Sequence, residues 1–114
     1  MASYANISAD QGASFQTILE LEDSLGDPID VTDYNIYGEI RRTYKSLSST
    51  SFIIIKLSSA GVIKIELDHT QTVAMKPGRY VYDIYAMNTE VSNSRIKLLE
   101  GIFELIPSVT KIIE

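Results

Sequence analysis

A chain of 114 residues with no cysteine is long enough to bury one core and holds neither a disulfide framework nor thiol chemistry. Its formal charge of −5 favours solubility and argues against non-specific attraction to nucleic acid. No apolar run approaches the ~18 residues of a membrane span, and Met1-Ala2-Ser3-Tyr4 lacks the basic and apolar regions of a signal peptide, so a soluble protein made in the cytoplasm is expected.

A short strand is expected at 4–8. Residues 13–21 alternate, with Phe15, Thr17, Leu19 and Leu21 on one face and Ser14, Gln16, Ile18 and Glu20 on the other. Period two predicts a half-buried strand. Ser24-Leu25-Gly26-Asp27-Pro28 breaks it with turn residues. Residues 35–42 alternate again, Ile36, Gly38 and Ile40 against Tyr37, Glu39 and Arg41, and a polar loop follows over 46–51. Phe52-Ile53-Ile54-Ile55-Lys56-Leu57 is apolar on both parities and predicts a strand covered on both sides. A hairpin-length link, 58–61, leads to a strand over 62–67, with Ile63, Ile65 and Leu67 inward.

The pattern then changes once. Asp68 is a good N-cap for a short helix over 68–75, which Pro77-Gly78 stops. Residues 79–86 form an aromatic strand. Residues 95–106 form the longest one, ended by Pro107. Its apolar face swaps parity at Leu98-Leu99, which predicts a bulge or a change of sheet. Gly101 suits a close backbone approach there. Strands at this spacing, with no long helical pattern, predict an all-β immunoglobulin-like β-sandwich of about seven strands in a single domain over 1–114, with a short tail over 108–114. A small open barrel is the weaker alternative.

Few residues suggest chemistry. His69, the only histidine, could act with Ser58 or Thr70, but no nucleophile elbow or oxyanion loop accompanies it, so a surface histidine is preferred. Glu20, Glu22, Asp23, Asp27, Asp30 and Asp33 crowd one region without the spacing of a Ca²⁺ loop. Asp27 and Asp30 there are expected to satisfy turn amides. Glu100 and Glu104 lie too far apart along an extended strand for a glycosidase pair. Arg41, Arg42 and Lys45 carry no nucleic-acid signature. No catalytic residue, metal or cofactor is expected, and neither is a nucleic-acid or membrane partner.

The seven tyrosines divide. Tyr80 and Tyr82 are expected in the core, one as a tyrosine corner. Tyr37, Tyr44 and Tyr85 are candidate contact residues. Ile18 and Ile102, apolar on the parity that should face water, join them, as do Val109, Ile112 and Ile113 of the tail. That tail could add to a partner's sheet edge.

Gln11-Gly12-Ala13-Ser14-Phe15, Asp23 through Asp30, Gly61 through Leu67, Gly78-Arg79-Tyr80-Val81-Tyr82-Asp83 and Leu99-Glu100-Gly101-Ile102-Phe103, in this order over nearly the whole chain, resemble the small immunoglobulin-like virion structural proteins of tailed bacteriophages. They are similar to the N-terminal domain of phage baseplate upper proteins. The resemblance implies a non-enzymatic module of a baseplate, tail or neck. It would be located in the virion and partnered by other phage virion proteins or by further copies of itself. It brings no catalytic residues. The chain ends soon after the domain, so no host-binding region is implied. Asp33 stands where the family is expected to carry glycine, and a left-handed backbone is expected there. A carbohydrate-binding or adhesion domain, using exposed tyrosines and the acidic loop, is the alternative.

Overall fold

The computed structural model describes residues 3–22, 25–58, 61–90 and 95–109. Its elements in chain order are β1 (Ser3–Tyr4), β2 (Ile7–Asp10), β3 (Phe15–Glu20), β4 (Tyr34–Arg41), β5 (Thr50–Ser51), β6 (Ile53–Ser58), β7 (Val62–Leu67), α1 (His69–Ala74), β8 (Gly78–Asn88) and β9 (Arg95–Ile106). One sheet has the order β1-β9-β8-β4-β5, with β2 continuing alongside β9. The other has the order β3-β7-β6. β1 and β2 run parallel to β9, while the other strand pairs are antiparallel. The two sheets share one core and form an immunoglobulin-like β-sandwich. The N-terminal strand is split in two and reaches further than expected, to Asp10.

Alternation builds the interior. β7 buries Ile63, Ile65 and Leu67 and β8 buries Tyr80, Tyr82, Ile84 and Ala86, while the residues between them are only half-buried. Phe103 lies at the centre, fully buried. Phe15, Phe52 and Tyr80 meet it edge-on, with ring centroids 6.0, 6.2 and 6.5 Å away, the geometry that the ring quadrupoles favour. Phe52 sits buried where the chain steps from β5 in one sheet to β6 in the other.

The strand at 53–58 departs from expectation. β6 is an edge strand, paired among the described residues with β7 alone. Ile53, Ile55 and Leu57 are exposed and only Ile54 packs on the core. A run apolar on both parities is thus not covered on both sides. Lys56, on the parity of Ile54, turns its ammonium to the carbonyls of Val31 (3.2 Å) and Tyr34 (2.8 Å). An inward-turned lysine of this kind discourages further strand addition at an edge.

The parity swap of β9 is a bulge, not a change of sheet. Ile84 pairs with Leu99 and Tyr85 with Lys97, which leaves Leu98 as the extra residue. Both Leu98 and Leu99 are buried. Glycine at 101 answers a second demand. The link between β1 and β2 crosses directly over it, and a Cβ there would collide with the Ala5 carbonyl, lying 2.7 Å from its carbon. That carbonyl accepts a hydrogen bond from the Tyr82 hydroxyl (2.6 Å).

α1 follows its caps. Asp68 accepts from the Gln71 amide (2.9 Å), and the Gln71 side chain accepts in return from the Asp68 amide (2.9 Å), a capping box. Bonds from Thr70 and Gln71 hold the Asp68 carboxyl below the usual range. Thr72, wholly buried, fastens α1 to the turn before β3. Its hydroxyl donates to the Ala13 carbonyl (2.9 Å) and accepts from the Gly12 amide (3.0 Å). Tyr80, at the start of β8, donates to the Lys76 carbonyl (2.6 Å) and forms the tyrosine corner. Asp33 is not left-handed, since among the described residues positive φ occurs only at glycine. Its carbonyl instead accepts from the Thr89 amide (2.8 Å) and hydroxyl (3.1 Å), which ordinary backbone geometry allows.

Candidate functional site

The outer face of the larger sheet gathers the candidate residues. With Ile36, Gly38 and Ile40 turned toward the core, β4 presents Tyr37, Glu39 and Arg41 outward. β8 does the same with Val81, Asp83 and Tyr85. Register then arranges them in rows across three strands. Tyr37 faces Tyr85, which faces Lys97. Glu39 faces Asp83, which faces Glu100. Arg41 faces Val81, which faces Ile102.

Tyr44 comes to this face from the turn after β4. The Ser46 amide donates to the Thr43 carbonyl (3.1 Å), and Arg41 donates to the Ser46 carbonyl (2.7 Å). The result is an open groove of about 390 Å³ whose lining includes Tyr37, Tyr44, Tyr85, Glu39 and Asp83. On the far side of the Tyr37–Tyr85 pair lies a second hollow, bordered by Met87 and Arg95. Tyr37 and Tyr44 are exposed and Tyr85 half-buried. The Lys97 ammonium lies 5.7 Å from the Tyr85 ring centre.

The charges of the middle row are unevenly satisfied. Glu39 pairs with Arg41 at 2.7 Å and Glu100 with Lys97 at 3.4 Å. The Asp83 carboxylate, between them, has neither an ion pair nor a hydrogen bond among the described residues. Burial pushes its carboxyl up, and the neighbouring Glu100 and Glu39 charges add to this, against Lys97 and Arg41. The row was not apparent from the residues one strand at a time. Strand register alone brings the three carboxylates abreast, and alternation marked each only as outward-facing.

The other candidates lie elsewhere. Ile102 is half-buried on the same face, at the β9 side. Ile18 is exposed on the opposite sheet, beside Lys64 and in the same row as Ile55. With Ile53 and Leu57 it marks a second apolar surface that the expected two-sided cover of 52–57 had hidden. Val109 is almost fully exposed beyond β9. Ile112 and Ile113 lie outside the described residues.

The weaker chemical candidates do not converge. His69 opens α1, and the Thr70 hydroxyl beside it donates to Asp68 (2.5 Å). Asp30 accepts from the Thr32 amide (2.9 Å) as a turn residue, and Thr32 keeps its carboxyl below the usual range. No group of three metal-binding side chains assembles among the described residues. Arg41 turns to Glu39, while Arg42 stacks 4.8 Å from the centre of the Tyr80 ring.

No protein-family model matches the chain, and no curated protein matches it. Among solved structures it is similar to a family 123 glycoside hydrolase from Clostridium perfringens, with a TM-score of 0.44 and 15% identity over 94% of this chain and 23% of that one. It is also similar to an internalin-like protein of Listeria monocytogenes, with a TM-score of 0.39 and 10% identity over 94% of this chain and 28% of that one. The chain thus spans about a quarter of the length of each.

Proposed function

We propose that this chain is a non-enzymatic structural module of a tailed-phage virion, in the baseplate, tail or neck, joined to other virion proteins through the outer face of its larger sheet. The observation that carries the reading is the gathering of Tyr37, Tyr44 and Tyr85 on one open face. Amphipathic rings of this kind are enriched where protein surfaces meet. The resemblance of its turn and strand motifs to phage immunoglobulin-like proteins supports the setting. The test is mass spectrometry of purified particles. The chain is expected in fixed stoichiometry to the other virion proteins, and its absence from particles would reject the assignment. The same groove favours a second reading, a carbohydrate-binding domain, because tyrosine rings beside carboxylates also suit a sugar. Glycan-array binding that is lost in Tyr37→Ala and Tyr44→Ala would replace the first reading with this one.

A further inference from the structure

The row Glu39–Asp83–Glu100 is an unfavourable arrangement for the protein standing alone. Like charges directly opposite one another weaken a sheet, and only the outer two carry partners. A half-buried carboxylate left without a hydrogen bond is costly to hold in place. Asp83 nevertheless lines a groove with tyrosines on its walls. We propose that this groove seats an arginine side chain presented by a partner protein, its guanidinium on Asp83 and its plane against a tyrosine ring.

The occupant follows from charge and shape. Arg41 lines the groove and Lys97 lies near it, but each is ion-paired to an outer carboxylate, Glu39 and Glu100, so the Asp83 carboxylate has no cation of its own, and the whole chain is acidic, with a charge of −5. Guanidinium is planar, weakly hydrated and able to bond a carboxylate with two parallel N–H groups while stacking on an aromatic face. The molecule already uses such contacts internally, with Arg42 over Tyr80 and Lys97 over Tyr85. Lys97 leaves the rings of Tyr37, 52% exposed, and Tyr44, 76% exposed, for a cation from outside. The inference rests on the reading of this face as a contact surface and adds the chemistry of what it contacts.

The probe is an acetylated, amidated Gly-Arg-Gly peptide titrated into the labelled protein, followed by amide NMR shifts. Its counterpart carries citrulline, which keeps the planar shape and removes the charge. Shifts are expected at Tyr37, Asp83 and Tyr85 with the arginine peptide. Affinity is expected to fall about tenfold for the citrulline peptide and for Asp83→Asn, the loss of one charge-assisted contact, and several-fold for Tyr44→Ala. Equal affinity for the two peptides, unchanged affinity in Asp83→Asn, or no shift at millimolar peptide would overturn the proposal. So would a dimer in sedimentation that Asp83→Asn dissociates, since a second copy would then own the groove. A protein found in particles whose Asp83→Asn variant still incorporates and binds no arginine peptide would lose this inference and keep the virion assignment.

Discussion

Replacing Thr72 by valine removes a hydroxyl and almost no volume, so its effect isolates that hydroxyl's hydrogen bonds, two to the turn before β3 and a longer one to the His69 carbonyl (3.3 Å). The residue is 0% exposed. Its hydroxyl accepts from the Gly12 amide at 3.0 Å and donates to the Ala13 carbonyl at 2.9 Å. Each buried group left unpaired costs about 1–3 kcal/mol. Ala13 is exposed, so its carbonyl can recover a water, and the Gly12 amide carries most of the penalty. The expected destabilisation of Thr72→Val is therefore about 1–3 kcal/mol, at the lower end for a single orphaned amide. For a chain of this length that lowers Tm by about 4 °C per kcal/mol. Urea unfolding of the variant should show a lower midpoint at unchanged slope, as expected for lost stability without a change in exposed surface. Thr72→Ser keeps the hydroxyl's bonds and gives up one methyl, so it should lose less than the valine variant. A valine variant as stable as the parent, or a serine variant that is worse, would refute the view that this hydroxyl ties α1 to the β2–β3 turn.

Other outcomes follow from the same geometry. Gly101→Ala drives a methyl into the Ala5 carbonyl and should cost about 1–3 kcal/mol, with faster amide exchange concentrated in β1 and β2. Burial, with a smaller push from Tyr4, raises the Tyr82 hydroxyl to about 12. The folded state therefore holds this proton more tightly than the unfolded chain. Its contribution is complete below the ordinary value of 10.0 and lost as pH rises toward about 12. An ultraviolet titration should show a late-ionising tyrosine that disappears in Tyr82→Phe. Asp83 is likewise raised, by burial and by Glu39 and Glu100 against the nearby Arg41 and Lys97, so its share of stability falls as pH rises above 3.8. Asp83→Asn should remove that decline and stabilise the protein at neutral pH by a few tenths to about 1 kcal/mol, read from thermal melts across pH.

Much of the sandwich was legible because its signals are local. Alternation at 13–21 and 62–67, the Asp68 cap and the parity swap at Leu98-Leu99 each depend on neighbours in the chain. The fold returns them as β3, β7, α1 and a bulge. The run at 52–57 misled beyond Phe52 because β-branched composition reports strand propensity, whereas cover depends on which strand ends at the sheet edge. Asp33 misled because a glycine expected from resemblance need not imply a positive φ. In the groove, Tyr37, Tyr44 and Tyr85 were identifiable as outward aromatics, but Asp83 acquires its isolation only from residues 44 positions before it and 17 after it, brought abreast by pairing.

The parallel seam between β1–β2 and β9 also bears on how the domain responds to tension. Tyr4 lies beside Glu100 and Asp10 beside Ile106, so traction that drags the two chain ends apart slides these neighbours lengthwise past one another. Their hydrogen bonds then share the load together rather than opening one at a time as a hairpin would. The Tyr82 hydroxyl, bonded to the Ala5 carbonyl midway along that seam, adds a side-chain tie that such sliding must also break.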